Sequence, residues 1–178
     1  MQQPVHRFLS CALAVLAVTL NAQGVTKETV PGVTNFSRVE TTIACAGATT
    51  ATAVPALKQM GYASIINLRQ ASEPGADIEA ETAAAKAAGI TFVHIPFDTA
   101  SPDPAAVDTF LKAVTAPANQ PAFVHCASAN RAAALWMIKR IQVDKWDADR
   151  AGAEAAALGL TNAALKTFAL DYVQVHKP

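Results

Sequence analysis

The chain has 178 residues, with 14 basic and 14 acidic side chains and a formal net charge of zero. That length suits one domain with a substantial core, and the balanced charge gives no general affinity for nucleic acid or an acidic membrane surface. Alanine inflates the apolar share while aromatics stay at 6 %, the profile of a helix-rich domain.

Residues 1–22 read as a secretory signal peptide. Arg7 gives a positive start, Phe8 to Leu20 is a thirteen-residue apolar run, and Asn21-Ala22 offers a cleavage site. Such a run is too short to span a bilayer, and Cys11 lies inside it and not after it, so no lipid anchor is expected. The mature chain is then periplasmic or secreted in a bacterium, without a stable membrane anchor. Residues 23–35 are expected to form a loosely ordered N-terminal arm, and residues 36–178 the domain proper.

Arg38 to Cys45 alternates enough for a first strand. Thr49 or Thr50 can cap a helix over roughly 51–60, with Pro55 in its first turn or at a kink. Ala63 to Leu68 reads as a buried second strand, Ser72 to Pro74 as a break, and 77–88 as an alanine-rich helix stopped by Gly89. Ile90 to Pro96 is a third strand. Asp103-Pro104 then starts a helix to about Val114, with Asp as cap and Pro at the first helical position. Ala122 to His125 is a fourth strand, followed by helices from Ala129 to about Ile141, from Asp147 to Gly159, and after Thr161 or Asn162. Strands alternating with helices predict a three-layer α/β fold, with a mostly parallel sheet of four to five strands between helices.

The chemistry concentrates where the fourth strand ends, at His125-Cys126-Ala127-Ser128-Ala129-Asn130-Arg131. A strand, a tight turn of small residues and a helix start place Cys126 at the carboxyl end of the sheet, where such folds bind ligands. Helix N-termini carry unpaired N–H groups and partial positive charge, which suits an anion or a thiolate. Arg131 in the first helical turn opposes the helix dipole unless it meets an anion. Cys126 thus sits at the floor of an oxyanion cradle formed by Ala127, Ser128, Ala129 and Asn130. His125 is expected to orient that loop by hydrogen bonding. The bland alternative is a buried small hydrophobe.

Asp98 and Asp103 compete as general acid; Asp103 has a full structural task as a cap, so Asp98 is preferred. Arg69 reads as an ion-pairing arginine that could reach the site. No His, Cys, Asp or Glu cluster has metal-ligand spacing, so no metal or other cofactor is expected. Cys45 ends the first strand, either merely buried or poised for a reversible disulfide with Cys126.

From Asn35 onward the chain resembles the bacterial protein tyrosine/dual-specificity phosphatase-like family, including the domain fused to beta-lactamase-like hydrolases. Ile66-Asn67-Leu68-Arg69, Gly89 to Pro96, and Val124-His125-Cys126 with Arg131 carry the resemblance. It implies a cysteine-phosphatase-like fold, a Cys126 nucleophile, Arg131 as oxyanion binder, and an upstream Asp as acid. The partner would be a phosphorylated small molecule or phosphoprotein. Three departures stand out. Only four residues separate Cys126 from Arg131, a spacing shared by this bacterial subfamily and by many rhodaneses. Ala129 stands where the family usually has Gly, and Ala132 where phosphatases often have Ser or Thr. The alternatives are a rhodanese-like sulfurtransferase working through a Cys126 persulfide and a non-catalytic anion- or protein-binding module.

Overall fold

The computed structural model describes residues 24–176; the expected signal peptide lies outside them. Six strands form one sheet: β1 (Val25–Lys27), β2 (Ser37–Val39), β3 (Ile43–Ala46), β4 (Ser64–Asn67), β5 (Thr91–His94) and β6 (Ala122–His125). Their spatial order is β1-β2-β3-β6-β4-β5. The strands β3, β6, β4 and β5 run parallel, while β1 and β2 add an antiparallel edge. The sheet is therefore larger than the four to five strands expected.

Both extra strands come from misread segments. The stretch taken as one strand over 38–45 is a hairpin, because Glu40 adopts φ 53° and turns the chain between β2 and β3. The arm is not loose either: β1 pairs with β2, and Val30 is buried. Its polar composition hid a short edge strand, which needs only one covered face.

Among the described residues, six α-helices cover the sheet: α1 (Val54–Gln59), α2 (Ile78–Ala88), α3 (Pro104–Thr115), α4 (Asn130–Gln142), α5 (Ala148–Leu158) and α6 (Ala163–Val175). Alternation along the strands divides the core. Ala44, Ala46, Ile65 and Phe123 pack with Leu57 of α1 and Ala85 of α2. Ile43, Cys45, Ile66 and Val124 face the opposite layer, with Phe110 of α3, Leu135 of α4, Leu158 of α5 and Leu165 of α6. Pro55 sits in the first turn of α1, where its missing N–H is harmless.

The caps follow the sequence. Asp77, Asp103, Asp147 and Asn162 each accept a backbone N–H at a helix start, and Gly89 and Gly159 close α2 and α5 with positive φ. No helix among the described residues is long and apolar enough to cross a membrane.

Candidate active site

Strand β6 delivers Cys126 to the carboxyl end of the sheet, fully buried, with its N–H donating to Ala46 O at 3.2 Å. The loop to α4 is held from outside. Ala48 N–H donates to Ala127 O at 2.9 Å, Asn35 Nδ2 donates to Ser128 O at 3.4 Å, and Gly47 bridges Ser128. Gly47 is needed for this approach, since a Cβ there would run into Thr34 Oγ1 and come within 3.1 Å of Ala127 O.

Ala129 adopts φ 75° and ψ −15°, the left-handed conformation that glycine takes without penalty. Ala129 thus holds, with a Cβ, a backbone shape that favours glycine. Asn130 locks the other side. Its Oδ1 accepts the N–H groups of Thr161 and Asn162, both at 2.8 Å, and its Nδ2 donates to Ser128 Oγ at 3.2 Å. The Asn130 side chain is therefore spent on holding the cradle, and exposed Ala127 and Ser128 form its rim.

Arg131 is 6 % exposed and reaches back under the loop. Its Nη1 donates to Leu68 O at 3.0 Å and Phe97 O at 2.9 Å. The guanidinium also grips Glu73 through both carboxylate oxygens, at 2.5 and 2.7 Å. Burial opposes its charge, but Glu73 and neighbouring Cys126 outweigh that and raise its pKa. Of its five N–H donors, Nε and one on Nη2 make no hydrogen bond to protein oxygen or nitrogen among the described residues.

Glu73 escaped the sequence reading, which saw only a chain break at 72–74. Burial pushes its carboxyl up. The Arg131 bonds, the Gln70 N–H and Arg69 more than reverse this, and hold it at about 2. Arg69 organises the same loop, donating to Pro74 O at 2.6 Å and Gly75 O at 2.9 Å. It stays with the loop as an ion-pairing arginine. The signal available in sequence was a lone acid in a loop shared by two arginines that both needed counter-charge.

Asp98 follows Phe97, whose carbonyl accepts from Arg131 Nη1, and its own Oδ1 accepts Ala100 N–H at 2.8 Å. Asp103 is the cap of α3, accepting Ala105 N–H at 2.9 Å.

His125 does not join the loop as expected. It is fully buried, stacks on Phe123, and places Nε2 2.7 Å from Glu81 Oε1 of α2, outside hydrogen-bonding angles. Strand alternation is the reason: one residue before Cys126, the side chain falls on the other face. Glu81 is also fixed by Asn67 Nδ2 at 2.7 Å, a buried polar group beneath the site that sequence reading missed.

Cys45 is a buried free thiol whose pKa is raised by burial first and by Cys126 second. It pairs with Val124, two residues short of Cys126. Strand spacing and rise then separate the two cysteine Cα atoms by about 8 Å, beyond the reach of about 7 Å for a disulfide. The reversible bridge is not available to this backbone.

The cysteine, arginine and short loop at the end of a parallel strand match a family model. Residues 35–143 fit the phosphatase-like domain of beta-lactamase hydrolase-like proteins. The chain belongs to that family. No curated protein matches it by sequence. Among solved structures, a DUF442 phosphatase from Shewanella putrefaciens CN-32 superposes with TM-score 0.69 at 20% identity, covering 82% of this chain and 95% of its own. P. aeruginosa TpbA follows with 0.65 at 21%, covering 85% and 90%. The core catalytic domain of the PP-IP phosphatase SIW14 from S. cerevisiae gives 0.65 at 19%, covering 80% and 87%. At such identities the likeness is one of fold, and that fold is cysteine-phosphatase-like.

Proposed function

We propose that the protein hydrolyses phosphomonoesters through a phosphocysteine at Cys126. The observation that carries this reading is the bidentate hold of Glu73 on Arg131. It fixes a buried guanidinium beside the thiol with two donors left for phosphoryl oxygens. Arginine binds such oxygens in a planar fork.

In the first step Cys126 Sγ attacks phosphorus, an S–P bond forms, and the P–O bond to the leaving group breaks. Asp98 gives its proton to the leaving oxygen. In the second, water attacks phosphorus and gives its proton to the Asp98 carboxylate, and the S–P bond breaks to release phosphate and the thiolate. Arg131 and the loop N–H groups hold the charge throughout. The Ala127–Asn130 loop is the phosphoryl-binding segment, and Ala129's left-handed backbone gives it the necessary curvature. A cysteine-to-serine form of TpbA was solved with phosphotyrosine and SIW14 with citrate, so this fold accepts anions of that size. Export rests on residues 1–22 and makes the enzyme periplasmic or secreted, with phosphorylated small molecules or phosphoproteins as substrates.

The test is hydrolysis of p-nitrophenyl phosphate by the protein and three variants. Cys126→Ser is expected to abolish it, and Asp98→Asn to lower kcat about 10²-fold or more. Asp103→Asn, which keeps an N-cap side chain, is expected to leave kcat within about twofold. Activity that survives in Cys126→Ser, or sulfur transfer from thiosulfate to cyanide without phosphatase activity, overturns the reading.

A further inference from the structure

The cradle opens sideways into a cavity of about 360 Å³, for which the reaction above has no use. Lys27, Asn35, Ser37, Ser128, Asn130 and Thr161 supply its polar wall. Strand register sets it at the reactive end of the sheet. Lys27 stands opposite Ser37 and Ser37 opposite Cys45, while Cys45 pairs with Val124, just before the loop. Two wall residues, Ser128 and Asn130, belong to the loop itself, so the cavity adjoins the cradle through that loop.

Charge selects the occupant. Among the described residues, no Asp or Glu lines the cavity. Lys27 has no ion pair among the described residues, because the adjacent acid, Glu28, is held by Arg38 at 2.9 Å. Ser37 is 2 % exposed and lines the cavity. A cation with hydroxyls and amides, and no carboxylate to compete, suits an anion surrounded by hydroxyl groups.

We propose that this cavity receives a second phosphoryl group of the same substrate, which is then a small polyhydroxy bisphosphate and not a phosphorylated protein. The inference deepens the phosphatase reading and rests on it for the role of the cradle. Lys27 binds the second group, and Ser37 and Thr161 meet its oxygens or the hydroxyls between.

Binding tests this without turnover. The Cys126→Ser protein is titrated by calorimetry with glucose 1,6-bisphosphate, glucose 6-phosphate and a phosphotyrosine peptide. The bisphosphate is expected to bind about five- to tenfold tighter than the monophosphate. Adding Lys27→Gln, an exposed edge-strand change, should bring the two sugars within about twofold while leaving the monophosphate affinity unchanged. Equal affinities, no binding of either sugar, a preference that survives Lys27→Gln, or tightest binding of the peptide each overturn the proposal. A Lys27-dependent preference together with no hydrolysis of p-nitrophenyl phosphate by the unaltered protein would keep the cavity's role and overturn only the reaction.

Discussion

Glu73 shows how one side chain can carry two duties at the site. It neutralises a buried arginine and aims it, and the same carboxylate receives Gln70 N–H and Arg69 Nε. Because its folded pKa lies near 2, below the usual carboxylate value of about 4.3, the sign of its linkage is fixed. Its stabilisation is complete above the unfolded pKa and is lost as pH falls from about 4.5 towards 2. Glu73→Gln should therefore lower stability at pH 7 by about 1 kcal/mol, less than the full shift implies because solvent screens this partly open carboxylate, and flatten the acid limb of a urea-midpoint profile across that window. It should also reduce kcat for p-nitrophenyl phosphate about tenfold or more, since the guanidinium loses its orientation. An unchanged acid limb with unchanged kcat would mean that Glu73 neither anchors nor aims Arg131.

At the scale of elements, the cradle is shaped more by what surrounds it than by its own residues. The β3–α1 loop supplies Gly47, the α5–α6 loop supplies two N–H groups to Asn130, and α2 supplies the carboxylate under His125. Gly47→Ala tests this dependence. Its Cβ would displace Thr34 and press on Ala127 O, an overpacking of about 1–3 kcal/mol, and should lower kcat/KM for p-nitrophenyl phosphate severalfold by shifting the loop. A shift in urea midpoint alone, with kcat/KM unchanged, would show that the loop keeps its shape without this support. These contacts were invisible in the sequence for a physical reason. Cys126 and Arg131 lie five positions apart, so a turn and a helix start already imply their meeting. Glu73, Gly47 and Glu81 act from other elements, and only the sheet order brings them in. Asp103 was readable as a cap because its partner is two residues away. The β2–β3 turn was missed because Glu40 adopts a positive φ with no glycine or asparagine to announce it.

Across the whole molecule, two arginine networks occupy opposite ends of α4. Arg131 in its first turn belongs to the proposed site. Arg140, nine residues on and about 14 Å along the axis, gathers the far end. Arg140 bonds Glu154 of α5 through Nε at 2.7 Å and Nη2 at 2.8 Å, reaches Glu40 of the β2–β3 turn at 3.0 Å, and pairs with Asp144 at 2.9 Å. Its guanidinium is packed against Trp136 and Trp146, and Trp136 Nε1 donates to Glu154 at 3.1 Å. Glu154 is fully buried, so this is a closed pair whose value lies in being complete. Removing one member strands the other: Glu154→Ala leaves Arg140 short of its deepest partner and Trp136 without an acceptor. The expected loss is about 3 kcal/mol, at the lower end for a broken buried pair because Asp144 and Glu40 still offset the charge. Urea unfolding measures that loss, and p-nitrophenyl phosphate kinetics at 25 °C on the folded variant should show kcat and KM within about twofold of the parent. A fall in kcat while the variant remains folded would mean that strain at the far end of α4 travels the length of the helix to Arg131, and that the two ends are not independent.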